Sequence, residues 1–102
     1  MKDEARALLN ALGLAQRAGK LKSGEAAVQD ALKKGHARVV IMDGDASVGA
    51  KKRYAQQCAA AGVPFGEAPA GVGGAIGKQG RMVCALTDEG FTNVVNKLAG
   101  IK

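Results

Sequence analysis

The sequence predicts an α/β fold in which a central sheet carries helices on both faces. Amphipathic helical segments alternate with short apolar runs along the chain, and glycines stand at several of the boundaries between them. The run at 38–42 is continuously hydrophobic after its arginine and rich in β-branched residues, which is typical of a strand covered on both sides. Because 102 residues, 47% of them hydrophobic, can build one core, we expect a single domain over 1–102.

Two helices and a short strand are predicted in the first third of the chain. Leucines and alanines recur at helical spacing within 3–18, and Gly19 is placed to end that helix. The alternation of 20–22 predicts a short strand, and a second helix then extends over 23–34 until Gly35 closes it. The apolar face of this second helix consists of Ala27, Val28, Ala31 and Leu32.

The strand at 38–42 leads into a turn and a third helix. The Asp and Gly residues of 43–45 are turn formers, and Ser47 is a good N-cap for a helix that runs to about Ala61. Gly62 is placed to end that helix. One stripe of the third helix carries Tyr54, Cys58 and Ala61.

The last third of the chain contains two strands and a final helix. Residues 63–65 predict a short strand at a sheet edge, because the proline within it cannot donate to a ladder. The Gly/Ala-rich stretch 70–77 allows a short helix, and 81–86 is predicted to be the last strand. Thr87 is the expected N-cap of a helix whose first turn holds two acidic residues, where the helix dipole favours them. The expected core face of this helix consists of Phe91, Val94, Val95 and Leu98.

The charge of the chain favours an acidic partner. The net charge is +6, and most of it lies in 1–62, which holds 11 basic and 6 acidic side chains. Such an excess is typical of nucleic-acid binders, although a charge of this size also serves solubility.

No apolar run is long enough to span a membrane and no apolar signal core is present, so we expect a cytoplasmic protein without a membrane partner. Nothing predicts an obligate dimer, and we expect a monomer.

Few residues are suited to catalysis or metal binding. His36 is the only histidine and has no Ser or Cys at a suggestive spacing, so a surface or loop position is predicted for it. Asp43 and Asp45, at the carboxyl end of a buried strand, could hold magnesium or divide acid and base roles, but a plain turn is the alternative. Cys58 and Cys84 stand in apolar contexts and are predicted to be buried structural thiols in a reducing cytosol. We therefore expect no enzyme, metal or cofactor.

The glycine-rich stretch before Lys78 does not match a known phosphate-binding motif. The Walker loop pattern fails at Val72 and Gln79, and the glycine spacing differs from that of the dinucleotide fingerprint. The glycines, Gly77 among them, still allow the backbone to approach a ligand closely, and Lys78 and Arg81 add positive charge beside it. The loop is therefore a candidate surface for an anion.

A second candidate surface lies at the start of the second helix. Arg17, Lys20 and Lys22 precede Ser23 and Gly24, which open that helix. Free backbone amides at a helix N-terminus bind phosphate, and basic side chains nearby strengthen the positive field.

Two other features limit how nucleic acid could be bound. The basic run 51–53 cannot form one tight face, because consecutive helical residues splay by about 100°, and a solvated helix surface is predicted there. The aromatic residues are Tyr54, Phe65 and Phe91, too few to stack single-stranded bases. Any RNA would be bound through its shape, backbone and grooves.

These segments resemble a known family along nearly the whole chain. The similarity runs, in order, through 12–24, 31–35, 39–47, 58–64, 72–77 and 85–91. The chain is thereby identified as a member of the ribosomal protein L-seven-Ae superfamily of kink-turn RNA binders, close to its bacterial YlxQ-type members. The resemblance implies a three-layer α/β/α sandwich with a four-stranded mixed sheet. It also implies binding of structured RNA, a kink-turn or another ribosomal element, through 23–30 and the loop at 77–81.

The chain departs from the superfamily at the start of the second helix. Typical kink-turn binders follow the glycine at Gly24 with Asn, Glu and Lys at the positions that here hold Ala26, Ala27 and Asp30. We therefore expect weaker readout of base edges and more reliance on backbone amides and flanking cations. The predicted RNA-binding residues are Arg17, Lys20, Lys22, Ser23, Gly24, Glu25, Ala26, Ala27, Asp30, Gly77, Lys78 and Arg81.

Two alternatives to RNA binding stay open at this point. The first is a protein-interaction module that has kept the fold and lost kink-turn recognition. Ala26, Ala27 and Asp30 favour it, because a smooth apolar helix start suits protein packing better than base readout. The second is a small metal-dependent enzyme that uses Asp43 and Asp45.

Overall fold

The computed structural model describes residues 2–101, so Met1 and Lys102 of the expected domain lie outside the described residues. The helices are α1 (Lys2–Arg17), α2 (Glu25–Lys33), α3 (Val48–Ala61), α4 (Val72–Ala75) and α5 (Glu89–Leu98). The strands are β1 (Leu21–Ser23), β2 (Val39–Asp43), β3 (Phe65–Ala68) and β4 (Val83–Leu86). The predicted alternation of helices and strands is confirmed, and so is the short helix in the Gly/Ala-rich stretch.

The four strands form one mixed sheet in the order β1-β4-β2-β3. Strand β4 runs antiparallel to both β1 and β2, and β2 runs parallel to β3. In this register Leu86 lies opposite Leu21 on one side and Val39 on the other. Every residue of β2 and β4 is buried, as predicted for strands covered on both faces.

Each face of the sheet is covered by its own set of helices. On one face, α1, α4 and α5 enclose a core that includes Leu12, Ile41 and Val72. On the other, α2 and α3 enclose a core that includes Val28 and Tyr54. The three-layer α/β/α sandwich with a four-stranded mixed sheet is therefore confirmed. No helix among residues 2–101 is both long enough and apolar enough to cross a membrane.

The two cysteines are buried and unpaired, as predicted. Cys58 lies on α3 in one core and Cys84 on β4 in the other. Burial raises the pKa of both thiols, that of Cys84 to about 12. Each therefore stays a protonated apolar packing group at neutral pH.

The predicted bounds of all four strands differ from the observed ones, by one residue for β1 and β2 and by two or more residues for β3 and β4. Strand β3 begins at Phe65 rather than Val63, because it pairs in parallel with β2 from that point, where Phe65 lies opposite Val40. It does lie at a sheet edge, as predicted. Strand β4 begins at Val83 rather than at residue 81, because its partner β2 ends opposite Met82.

The final helix corrects two further predictions. Its N-cap is Asp88, whose carboxylate accepts a hydrogen bond from the amide of Phe91 at 2.8 Å, and not Thr87. The Thr87 amide and hydroxyl instead donate to the carbonyl of Lys20. Val94 was expected in the core but is 48% exposed, because it stands about 100° around the helix from Val95, which is fully buried.

Candidate nucleic-acid interface

The chain places three segments together at one end of the sheet. Because β1 and β2 both run antiparallel to β4, they run parallel to each other and end on the same side. Helices α2 and α3 follow these two strands and therefore begin side by side. The loop at 76–82 between α4 and β4 arrives at the same end. In α/β proteins the carboxyl ends of the strands are the usual place for a ligand site.

A cavity of about 690 Å³ lies between these three segments. We call it the first cavity. Its lining includes six of the residues predicted from the sequence: Ser23, Gly24, Glu25, Ala26, Ala27 and Arg81. It also includes residues that the sequence reasoning missed, among them Met42, Ser47, Ala50, Tyr54, Gly80 and Met82. The predicted helix start and the predicted loop therefore share one concave surface.

Arg81 fastens the loop to the start of α2. Its Nη1 donates to the carbonyl oxygen of Ser23 at 2.7 Å and to the Ser23 hydroxyl at 3.0 Å. Gly24 beside it has a φ of 89°, which strongly favours glycine, and a Cβ there would lie 2.9 Å from Arg81 Nη1. A glycine at this position therefore serves both the turn and the close approach of the arginine.

Two helix N-termini face the first cavity. Gly24 caps α2 without a side-chain acceptor, so the first amides of α2 can donate to an anion. Ser47 caps α3, where its hydroxyl accepts from the amide of Ala50 at 3.1 Å. The positive ends of both helix dipoles add to the charge of Arg81 at this surface.

Glu25 is the carboxylate in this surface, and it is held by α3. The carboxylate accepts from Arg53 Nη2 at 2.8 Å and from the Tyr54 hydroxyl at 3.4 Å. Burial raises the pKa of Tyr54, and the Glu25 charge acts in the same direction. A pair of hydrogen bonds between the side-chain amides of Gln29 and Gln57 joins the same two helices one turn further on. These contacts fix the spacing between the two helix starts.

The basic run 51–53 does not form one face, as predicted. Lys51 reaches towards β3, where its Nζ lies 3.2 Å from Glu67 Oε1. The same Nζ donates a hydrogen bond to the Gly44 carbonyl oxygen. Arg53 points to α2, and Lys52 is exposed. Two of these three cations therefore tie α3 to its neighbours.

The remaining predicted residues lie outside the first cavity. Lys22 and Asp30 line a second cavity, of about 530 Å³, which also includes Ala27, His36 and Arg38. The predicted residues that line neither cavity are exposed and consist of Arg17, Lys20, Gly77 and Lys78. Ser47 could have been identified from the sequence as a candidate site residue, because it caps a helix that follows a buried strand.

Asp43 is a structural residue. Its side chain is buried, and it accepts from the amides of Asp45 at 2.7 Å and of Gly71 and Val72 at 3.0 Å. Burial acts to raise the pKa of this carboxyl, but the three amides and the charge of Lys51 outweigh it and hold the pKa below its ordinary value. Between residues 2 and 101 no three His, Cys, Asp or Glu side chains are grouped to hold a metal ion. The contact with Asp45 fits the plain-turn interpretation of 43–45, and the contacts with Gly71 and Val72 are long-range contacts that the turn alone does not explain.

Known proteins match this chain in both sequence and structure. RNA-binding protein YlxQ of Bacillus subtilis (strain 168) is 40% identical over 84 residues, which cover 80% of this chain and 84% of that protein. A protein of unknown function from Bacillus halodurans C has a structure that matches with a TM-score of 0.84 and 34% identity, over 91% of this chain and 96% of that one. A 15.5kD RNA binding protein of Giardia lamblia shares the fold, with a TM-score of 0.77 and 21% identity over 96% of this chain and 86% of that one. Residues 6–96 match the Ribosomal protein L7Ae/L30e/S12e/Gadd45 family, and the chain belongs to that family.

Proposed function

We propose that this protein is a non-enzymatic RNA-binding protein that binds structured RNA at the first cavity. The observation that carries the proposal is the convergence of two helix N-termini and Arg81 on one concave surface. Family membership and the similarity to an RNA-binding protein over four-fifths of the chain support it. The net charge of +6 supplies the long-range attraction that a polyanion requires.

The contacts we propose are mainly with the RNA backbone. The amides at the start of α2 cradle one phosphate, and Arg81, beside them, contacts another. Lys20, Lys22 and Lys78 are exposed outside the first cavity, Lys22 in the second cavity, and we propose that they add phosphate contacts. Ala26 and Ala27 present no hydrogen-bonding side chain to a base edge. Recognition would then depend on RNA shape, so that a bent helix such as a kink-turn, or another ribosomal RNA element in a bacterial cytoplasm, is preferred.

The location of the site is tested by amide chemical shifts of the labelled protein during titration with a kink-turn RNA. We expect the largest shifts at 23–27, at Ser47 and at Arg81, with little change along α1 and α5. Small shifts spread over all exposed lysines would indicate non-specific attraction by charge and would contradict the proposed site.

A second candidate function is a protein-interaction module. The observation that favours it is exposed apolar surface around the cavity, where Val48 is 81% and Met82 37% exposed. This candidate predicts RNA affinity no greater than that of an unrelated protein of the same charge. Binding of a kink-turn RNA and of a straight duplex of equal length, compared at two salt concentrations, separates the two candidates.

A further inference from the structure

The second cavity lies along α2, between that helix and the segments that enter β1 and β2. Lys22 reaches it from β1 and Arg38 from the residue before β2. We propose that this cavity binds the phosphodiester backbone of the same RNA, as a continuation of the first cavity along α2. This inference rests on the proposed function and extends it beyond the predicted residues to His36 and Arg38.

The charges of the second cavity favour a phosphate. Lys22 and Arg38 contribute two cations to its lining. Asp30 is the carboxylate of the lining, and it lies 3.3 Å from Lys34 Nζ, so its charge is balanced by a lysine of its own helix. His36 adds an imidazole that can donate a hydrogen bond. The electrostatic balance therefore remains positive.

The shape of the cavity favours the backbone of RNA over its bases. Apart from His36, the uncharged part of the lining consists of glycines, alanines and Thr87, with no Phe, Tyr or Trp and no large apolar side chain. One imidazole ring does not make a platform on which successive bases could stack, and a protein partner would find no apolar anchor. Gly35 has a φ of 73° and open space where a Cβ would stand, which leaves room for an approaching strand.

The two cavities adjoin at one residue. Ala27 lines both of them, so the two cavities meet at the side chain of this residue in the first turn of α2. A strand that leaves the first cavity on this side therefore meets Lys22 and Arg38 next. A longer side chain at residue 27 would interrupt this path.

The test compares Arg38→Gln with Arg6→Gln as a matched control. Both arginines are exposed, and Arg6 lies on α1 across the sheet from α2. The probe is a kink-turn RNA with a full helical turn of duplex in each arm, titrated at several salt concentrations. For Arg38→Gln we expect affinity to fall about threefold to tenfold and the slope of log K against log salt to decrease in magnitude by about 1. We expect Arg6→Gln to match the parent protein, and Asp30→Asn to bind about twofold more tightly.

The outcomes are distinguishable from failure of the proposed function. If the unmodified protein binds the RNA and both arginine variants bind with its affinity and salt slope, the second cavity is not part of the RNA path, while RNA binding stands. If the unmodified protein binds no RNA, the proposed function fails and this inference fails with it. Inorganic phosphate is the second probe: if it shifts the amide signals near Arg38 and the RNA does not, a free phosphate occupies the cavity and the inference is overturned. Unfolding temperatures of all variants establish that each is folded.

Discussion

At the scale of single residues, Asp43 shows how one buried charge can connect distant parts of the chain. Its carboxylate binds amides of the turn that follows β2 and of the residues that begin α4. A carboxylate with several charge-assisted hydrogen bonds is retained in a core because they compensate for its lost hydration. Asp43 therefore fixes the carboxyl end of β2, and α3 begins a few residues later, beside the first cavity.

We predict that Asp43→Asn lowers the free energy of unfolding by about 1–3 kcal/mol at pH 7, because an amide group cannot accept all three hydrogen bonds. The folded-state pKa of Asp43 lies below the pKa of an ordinary aspartate, so the stabilisation is present above the ordinary pKa and is lost as pH falls through the lower folded-state pKa. Denaturant unfolding at pH 7 and near pH 2.5 checks this. The difference between parent and variant should shrink in acid, and a constant difference would contradict the role given to the charge.

Arg81 supports a second prediction at this scale. We expect Arg81→Gln to lower the affinity for structured RNA about fivefold to tenfold, because it removes a cation and loosens the loop from Ser23. Stability should fall by no more than about 1 kcal/mol, since the side chain is exposed. Fluorescence anisotropy with labelled RNA measures the effect, and Arg6→Gln controls for loss of charge alone. Equal RNA affinities of the two variants would show that Arg81 does not contribute to RNA binding.

Single residues also show what the sequence could and could not reveal. The cap at Ser47 was predictable, because one suitable residue precedes a clear helix there. The choice between Thr87 and Asp88 was not, because both are good caps and the answer depends on where the Lys20 carbonyl lies in the folded protein. Long-range contacts of this kind are absent from a local pattern.

At the scale of elements, the loop between α4 and β4 is positioned by glycine packing. The amide of Lys78 donates to the Gly73 carbonyl at 2.8 Å. A Cβ at Gly73 would lie 2.9 Å from the Lys78 carbonyl oxygen and 3.2 Å from that of Arg81. The loop therefore lies directly on the backbone of α4.

We predict that Gly73→Ala displaces this loop. The variant should have a free energy of unfolding that is lower by about 1–3 kcal/mol, and it should bind RNA more weakly. Gly74→Ala is the matched control, because a Cβ there meets only the Gln79 side chain at 3.7 Å. The control should be neutral or stabilising by about 0.5–1 kcal/mol, as expected for glycine replaced by alanine in a helix. Thermal unfolding and RNA titration of both variants test this, and equal effects would show that the loop does not depend on packing at Gly73.

The strands mark the limit of local prediction for elements. The four longer helices were found from the helical spacing of their apolar residues, and β2 from its continuous run of apolar and β-branched residues. Strand β3 was misplaced, since Gly66 and Glu67 have weak strand propensity and are extended only because β2 pairs with them. The bounds of such a strand depend on its pairing partner, which lies far away in the sequence.

At the scale of the whole molecule, the strand order decides which residues meet. The superfamily resemblance implied that the start of α2 and the loop before β4 are neighbours, and the sheet order brings them together. The same order adds the start of α3, which the sequence reasoning had treated only as a helix beginning. The second cavity follows equally from the sheet, because Lys22 comes from β1 and Arg38 directly precedes β2, and these two strands lie on either side of β4.

The most direct test of the account is the binding of a kink-turn RNA and of a straight duplex of equal length at two salt concentrations. We predict a preference for the kinked RNA that persists at the higher salt, because recognition depends on the shape of the first cavity as well as on charge. Equal binding to both RNAs that weakens in parallel with salt would contradict recognition of a kinked RNA. In that event, non-specific attraction by a net charge of +6 would account for the binding.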